Sequence, residues 1–266
     1  MTGLAGQPIA GLAPYRRLAL AETGSTNVSA LEAARAGDPG DLWVTADRQL
    51  AGRGRRGRQW VSEPGNLYAS LLLVDPAPVP KMGTLPLVAA LGVHRALRPF
   101  LAGSPQALAI KWPNDLLVDG RKICGILLES ETLENGRHAI VIGCGINCAT
   151  HPENPLYPAT DLAECGITAG PEEVFPRLAA EIARVLAEWD RGAGFARIRE
   201  DWLLAADGKG GSVTVKWQDG ETTGLFEDID RDGYLLLNVG GQRQRILAGD
   251  LFFGTAFGER GMAYGG

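Results

Sequence analysis

Apolar residues recur along this chain with changing periods, and each change marks an element. Residues 22–37, ETGSTNVSALEAARAG, read as a turn feeding a helix. Ser25, Thr26 and Asn27 are helix-capping types, Leu31 and Ala34 follow at helical spacing, and Gly37 supplies the stop. Residues 1–13 are rich in Gly and Ala, and the start is expected to be mobile. LWVTAD (42–47) is a short strand, and LYASLLLV (67–74) is apolar enough for a strand buried on both faces. A helix is expected over 83–101, with Ala90, Val93, Leu97 and Leu101 on its apolar stripe. LAIKWPNDLLVDGRKICGILLES (108–130) reads as strand, proline break, strand, Asp119-Gly120 turn, strand. AIVIGCGINC (139–148) is a further buried strand ending in glycines, followed by loop over 149–170. Helices are expected over 171–190, with Leu178, Ile182, Val185 and Trp189 on one face, and over 194–206, with Phe195, Ile198, Trp202 and Ala205 on one face.

Past residue 208 the pattern shifts to short alternating runs. Asp219-Gly220, Asp232-Gly233 and Gly240-Gly241 break it into about five strands, a module small enough to be an SH3-like barrel. The expected division is therefore 1–208 and 209–266. No internal repeat or low-complexity tract interrupts it.

Composition narrows the function classes. With 266 residues, 45% hydrophobic and 21% charged, the chain can build one large and one small domain. Its 26 basic against 31 acidic residues argue against a general nucleic-acid binder. There is no secretory leader pattern and no apolar run of membrane-spanning length, so a cytoplasmic location away from membranes is expected. There, Cys124, Cys144, Cys148 and Cys165 stay reduced. Cys144 and Cys148 lack a second ligand pair at zinc spacing and read as small buried side chains. His94 falls near the stripe of its helix and reads as packing, and His138 and His151 carry no partner signal.

Two stretches carry chemistry. Residues 48–60, RQLAGRGRRGRQW, hold five arginines, three glycines and no acid. Arginine presents a planar fork that matches phosphate and carboxylate oxygens in pairs, and the glycines permit close backbone approach and movement. Crowded like charge is costly to fold, which points to a counter-anion; a solvated charge run and a nucleic-acid arm are the alternatives. A Walker A loop is excluded, because Gly57 is followed by Arg58 and Gln59 rather than by Lys and Ser or Thr. A dinucleotide fingerprint is not supported either: GRGRRG (52–57) has its glycine spacing, but no helix clearly follows. The second stretch, KWPNDLL (111–117), sets Lys111, Asn114 and Asp115 around Trp112 and Pro113. Lysine is a point charge for phosphate, Asn both donates and accepts, and Asp can hold Mg²⁺ or orient a neighbour. A charged strand end broken by proline is the plainer reading. Lys122 opens an apolar strand just after a turn, either facing an anion or snorkelling to solvent.

Taken together, GSTN (24–27), GRGRRGRQW (52–60), KWPNDLLVDGRKICGILLE (111–129) and GCGIN (143–147), in this order and followed by a β module, resemble the biotin–protein ligases, also called biotin–[acetyl-CoA-carboxylase] ligases. The resemblance implies an α+β fold, a mixed β-sheet flanked by helices with a small C-terminal SH3-like barrel. It implies two steps: biotin and Mg·ATP give biotinyl-5′-AMP and pyrophosphate, then a lysine of a biotin carboxyl carrier protein attacks and releases AMP. It assigns Arg53, Gly54 and Arg55 to the biotin and adenylate loop, with Arg58 near the phosphates, and makes Lys122 and Arg55 the catalytic cations. Ser25, Thr26, Asn27 and Gln49 become polar contacts around the ureido ring, and Gly125 and Gly145 leave room for ligand. Trp60, Lys111, Asn114 and Asp115 fall on the nucleotide side. No protein metal ligand is assigned, since Mg²⁺ rides on ATP. Some family members carry an N-terminal helix-turn-helix that binds an operator; with Ser25 only 24 residues from the start, no operator DNA is expected. Others dimerise through the central sheet, and a homodimer stays open. The rival readings are a lipoate–protein ligase and a non-catalytic nucleic-acid binder using the arginine loop.

Overall fold

Successive residues of a strand point to opposite faces of its sheet, and the central strands here are apolar on both. The computed structural model describes residues 6–152, 157–217, 220–247 and 249–253. In chain order, β1 (Gln7–Pro8) and β2 (Arg16–Thr23) precede α1 (Thr26–Arg35), β3 (Leu42–Gln49) and β4 (Leu67–Val74). A short α2 (Val79–Met82) leads into α3 (Leu85–Leu97), then come β5 (Leu108–Lys111), β6 (Asp115–Val118), β7 (Arg121–Thr132) and β8 (His138–Ile146). Helices α4 (Pro171–Trp189) and α5 (Phe195–Leu204) follow, and β9 (Ser212–Trp217), β10 (Gly220–Ile229), β11 (Leu235–Val239), β12 (Gln242–Ile246) and β13 (Asp250–Phe253) complete the described chain.

The first eight strands form one sheet in the order β1-β2-β3-β4-β8-β7-β6-β5. It is mixed, because β2 and β3 run parallel through the α1 crossover while β3, β4, β8 and β7 pair antiparallel. Leu42, Val44, Leu72 and Val141 point to the face that α1 covers with Ala30, Leu31 and Ala34. Trp43, Leu71, Ile140 and Ile142 point to the other, where α3 and α4 pack. The last five strands form an antiparallel sheet in the order β12-β11-β10-β9-β13, the SH3-like module. The two sheets share one core: Trp202 of α5 lies 6.5 Å from the Phe226 ring of β10, both buried.

The α+β class agrees with the reading of the sequence, and Asp119-Gly120 forms the expected turn with both residues left-handed (φ 49 and 76). Gly240-Gly241 does the same between β11 and β12. Asp219 falls outside the described residues, as do residues 1–5 of the start expected to be mobile. From Gly6 onward that start is ordered, with β1 paired to β2. Strand β2 was not expected. Leu18 and Leu20 pack on the α1-side core, but Arg16 and Arg17 mask the alternation; Arg17 lies across the Phe175 ring and bonds Thr45 and Glu172. The helix expected over 83–101 ends at Leu97, because Pro99 cannot continue it. Among the described residues no helix is long and apolar enough to cross a membrane.

Candidate active site

Cross-strand partners share a face, so register decides what lines the α1 side of the sheet. Ser70 of β4 pairs with Gly143 of β8, which pairs with Leu127 of β7; one step along, Tyr68, Gly145 and Gly125 form a second row. The glycines leave space that neighbouring side chains enter. A Cβ on Gly143 would fall 2.1 Å from Asn27 Oδ1, and one on Gly145 2.5 Å from Trp60 Nε1. A cavity of about 490 Å³ opens over these rows, at the N-terminal end of α1.

A cluster of uncharged hydrogen-bonding side chains, anchored on Glu129, lines one part of it. Asn27 Nδ2 donates to Glu129 (2.8 Å) and to the Leu127 carbonyl (3.3 Å), and Ser70 donates to Asn27 Oδ1 (2.6 Å). Ser70 also contacts Thr26 Oγ1, and the Thr26 backbone N–H donates to Gln49 Oε1 (2.8 Å). Gln49 Nε2 donates to Ser62, which donates to the Trp60 carbonyl. Ser25, Thr26, Asn27, Ser62 and Ser70 are all buried, and the last four side chains are held by these partners rather than by water.

A cationic cluster lines the rest. The register slips between Leu116 and Leu117, so that Leu116 faces Cys124 but Leu117 faces Lys122. This bulge puts Lys122 on the same wall as Gly125, three residues away, which strict alternation forbids. Lys122 Nζ lies 2.8 Å from Asp115 and 5.5 Å from the Trp60 ring centroid. Burial favours the neutral acid at Asp115, but Lys122 and Arg55 (3.8 Å) outweigh it and hold the carboxyl below its usual range. Lys111 lies above Tyr157, Phe252 and Phe253, 5.0–5.9 Å from their centroids; burial lowers its pKa, with Asp115 opposing.

The arginine loop is closed on itself. Arg53 bridges Gln59, Gly54 N–H donates to the Arg58 carbonyl (2.7 Å), and Arg56 (φ 58) and Gly57 (φ 70) turn left-handed at its tip. Arg53 reaches Glu129 at 3.1 Å. Arg55, Arg56 and Arg58 converge on Asp250 of β13 at 3.1, 3.1 and 3.0 Å.

Of the residues singled out in the sequence, Ser25, Thr26, Asn27, Gln49, Arg53, Gly54, Arg55, Arg58, Trp60, Lys111, Asp115, Lys122, Gly125 and Gly145 line this one cavity. Asn114 does not. It is buried and donates to the Ile126 carbonyl (3.2 Å), while its Oδ1 has no hydrogen-bond partner among the described residues. Sequence reading passed over Ser70, Glu129, Tyr157 and Asp250. The acids and the serine sit inside strands, where nothing local marks them. Among the described residues, no group of three or more His, Cys, Asp or Glu is placed to hold a metal ion. His94 is half-buried against the Leu108 carbonyl, with burial lowering its pKa.

Residues 24–147 match the biotin/lipoate A/B protein ligase family, and residues 210–254 match the biotin protein ligase C-terminal domain. The chain is 42% identical over 242 residues to a biotin–[acetyl-CoA-carboxylase] ligase of Paracoccus denitrificans, covering 88% of this chain and 99% of that one. It is 34% identical to the corresponding ligase of Mycobacterium tuberculosis, covering 87% of this chain and 86% of that one. Among solved structures, biotin protein ligase from Aquifex aeolicus in complex with biotin and ATP superposes with a TM-score of 0.74 at 28% identity, covering 89% of this chain and 97% of that one.

Proposed function

The chain belongs to the biotin protein ligase family, and from that premise we propose that it uses ATP to couple biotin to one lysine of the biotin carboxyl carrier protein of acetyl-CoA carboxylase. One observation carries this reading: a buried cluster of uncharged hydrogen-bonding side chains and a cluster of fixed cations line the same cavity. Biotin has a neutral ureido group and a carboxylate, and the carboxylate must meet a triphosphate.

Two anions do not approach each other without fixed positive charge. Among the described residues, five cations (Arg53, Arg55, Arg58, Lys111 and Lys122) and two carboxylates (Asp115 and Asp250) line the cavity, an excess that suits an anionic substrate pair. Thr26, Asn27 and Gln49, oriented by Ser70 and Ser62, hold the ureido ring. Lys122, positioned by Asp115, neutralises the biotin carboxylate as one of its oxygens attacks the α-phosphorus. Arg55 and Arg58 steady the phosphoryl oxygens while pyrophosphate leaves. The loop then covers the mixed anhydride against water until the carrier lysine attacks the carbonyl carbon and AMP departs. Mg²⁺ carried on the triphosphate would spread its charge.

Closure of the loop onto a walled cavity, with its arginines turned to Asp250 and Glu129, favours an adenylate role over a nucleic-acid arm. We place the enzyme in the cytoplasm, where its carrier is made. The deciding experiment is acid-dependent ATP–pyrophosphate exchange with biotin and lipoate run in parallel. Exchange with biotin alone supports the proposal, exchange with lipoate alone moves the chain to the sister activity, and exchange with neither overturns it.

A further inference from the structure

Asp250 belongs to the C-terminal module, yet it holds the catalytic domain's arginine loop. It is buried (5% exposed), stands at the start of β13 opposite Lys216, and takes Arg55 on one oxygen and Arg56 and Arg58 on the other. Arg56 adds a bond to the Lys216 carbonyl (3.2 Å), so the loop tip is fastened to β9 as well. Asp250 serves three guanidinium groups, Asp115 adds a 3.8 Å contact to Arg55 alone, and the cluster keeps a net positive charge. Asp250 lines the same cavity as Lys111 and Lys122. Among the described residues Lys111 has no carboxylate within ion-pair distance; its neighbours are the three aromatic rings.

We propose that Asp250 is the resident counter-anion of the arginine loop, and that the pyrophosphoryl part of the nucleotide displaces it from Arg55, Arg56 and Arg58. The proposal rests on the adenylating function above. Crowded arginines need an anion in every state of the enzyme. Without nucleotide the C-terminal module supplies it, which keeps the loop folded. A polyanion with several oxygens per charge matches the arginine forks better than a single carboxylate and takes the donors over. Both anions cannot share the cluster cheaply, because like charges at this separation in a partly buried site repel. Asp250 therefore sets how tightly the loop binds phosphate, and it is a positioning residue rather than a catalytic one.

The test uses inorganic pyrophosphate as the probe, with the full-length enzyme and no biotin, by titration calorimetry. Loss of a competing anion predicts that Asp250→Asn binds pyrophosphate more tightly, by about tenfold, the scale of one like charge removed from such a site. Asp250→Glu keeps the charge and should stay within about threefold of wild type. A merely structural post predicts the opposite sign, so unchanged or weaker binding by a folded Asp250→Asn protein overturns the proposal. If that variant does not fold, a structure of the wild-type chain with pyrophosphate decides. Arginines moved from Asp250 to the phosphates support displacement; all three still on Asp250 refutes it. Biotin-dependent exchange by the wild type is measured first. Its failure sinks the functional reading, whereas exchange with an unaltered Asp250→Asn affinity sinks only this one.

Discussion

Replacing Lys122 with Ala tests the centre of the mechanism through two independent readouts. Lys122 Nζ and Asp115 are 2.8 Å apart, which at an effective dielectric of about 20 is a gross attraction of about 6 kcal/mol. Most of that is offset by taking both charges out of water. Breaking a buried pair from one side costs about 3–5 kcal/mol. Here Lys122 is 23% exposed and Arg55 still faces Asp115 at 3.8 Å, so about 2–3 kcal/mol of folding stability should be lost. The pH dependence fixes the sign. Asp115 titrates below its usual range because Lys122 and Arg55 outweigh burial, so its stabilising contribution is present above the unfolded carboxylate range and is lost as pH falls through the folded value. Without Lys122 that contribution shrinks, and the stability gap between wild type and variant should narrow on acidification from about pH 6 towards about pH 3. Catalytically, the carboxylate and the phosphoryl group lose their shared cation, and biotin-dependent pyrophosphate exchange should fall about 10²–10³-fold, the range for one preorganised donor. Urea melts across that pH range and the exchange assay report separately. Exchange within about threefold of wild type, or a gap that widens with acid, refutes the assigned role of the pair.

Arg55→Gly removes contacts to both Asp115 and Asp250, so biotin should still bind while bound biotinyl-adenylate escapes at least about tenfold faster, read as adenylate in a filtrate; wild-type retention defeats the lid. Trp202 is fully buried against Phe226 of the second sheet, so Trp202→Ala should cost about 3–5 kcal/mol and lower both sheets in one calorimetric transition; two separated transitions would show that the core is not shared. Burial pushes the Cys124 thiol up and that of Cys144 to about 12, so in the native enzyme a thiol reagent should modify the half-buried Cys165 first and leave Cys124 and Cys144 until unfolding; early modification of Cys144 contradicts its packing.

Much of the fold could be read from periodicity because burial is lopsided in helices and complete in the central strands. Leu178, Ile182, Val185 and Trp189 mark α4 as a helix, and all four are buried. The run 67–74 could be assigned as a two-sided strand because Leu71 and Leu72 enter different cores. Strand β2 escaped because it lies near the sheet edge with only Leu18 and Leu20 as apolar cues, and its arginines are spent on Asp38, Glu172 and a ring stack. The bulge that turns Lys122 onto the cavity wall has no sequence mark either, since ICG between Lys122 and Ile126 reads as ordinary strand.

The site divides along a similar line. Charged residues that line the cavity sit in short motifs of unusual composition, so GRGRRGR and KWPND stand out wherever they occur. Residues that position them are ordinary, and their meaning comes only from register or from distance in the chain. Ser70 matters because it pairs across from Gly143, and Glu129 because β7 carries it beneath Arg53. Asp250 lies 195 residues from Arg55. Crowding of arginines without an acid in the segment already requires an anion from elsewhere, so the sequence poses the electrostatic problem. Only the packing of β13 against the loop shows that Asp250 meets these arginines. A motif of fixed like charges thus identifies a site, while the partner that holds it ready is found by asking which distant carboxylate the fold brings within 3.1 Å.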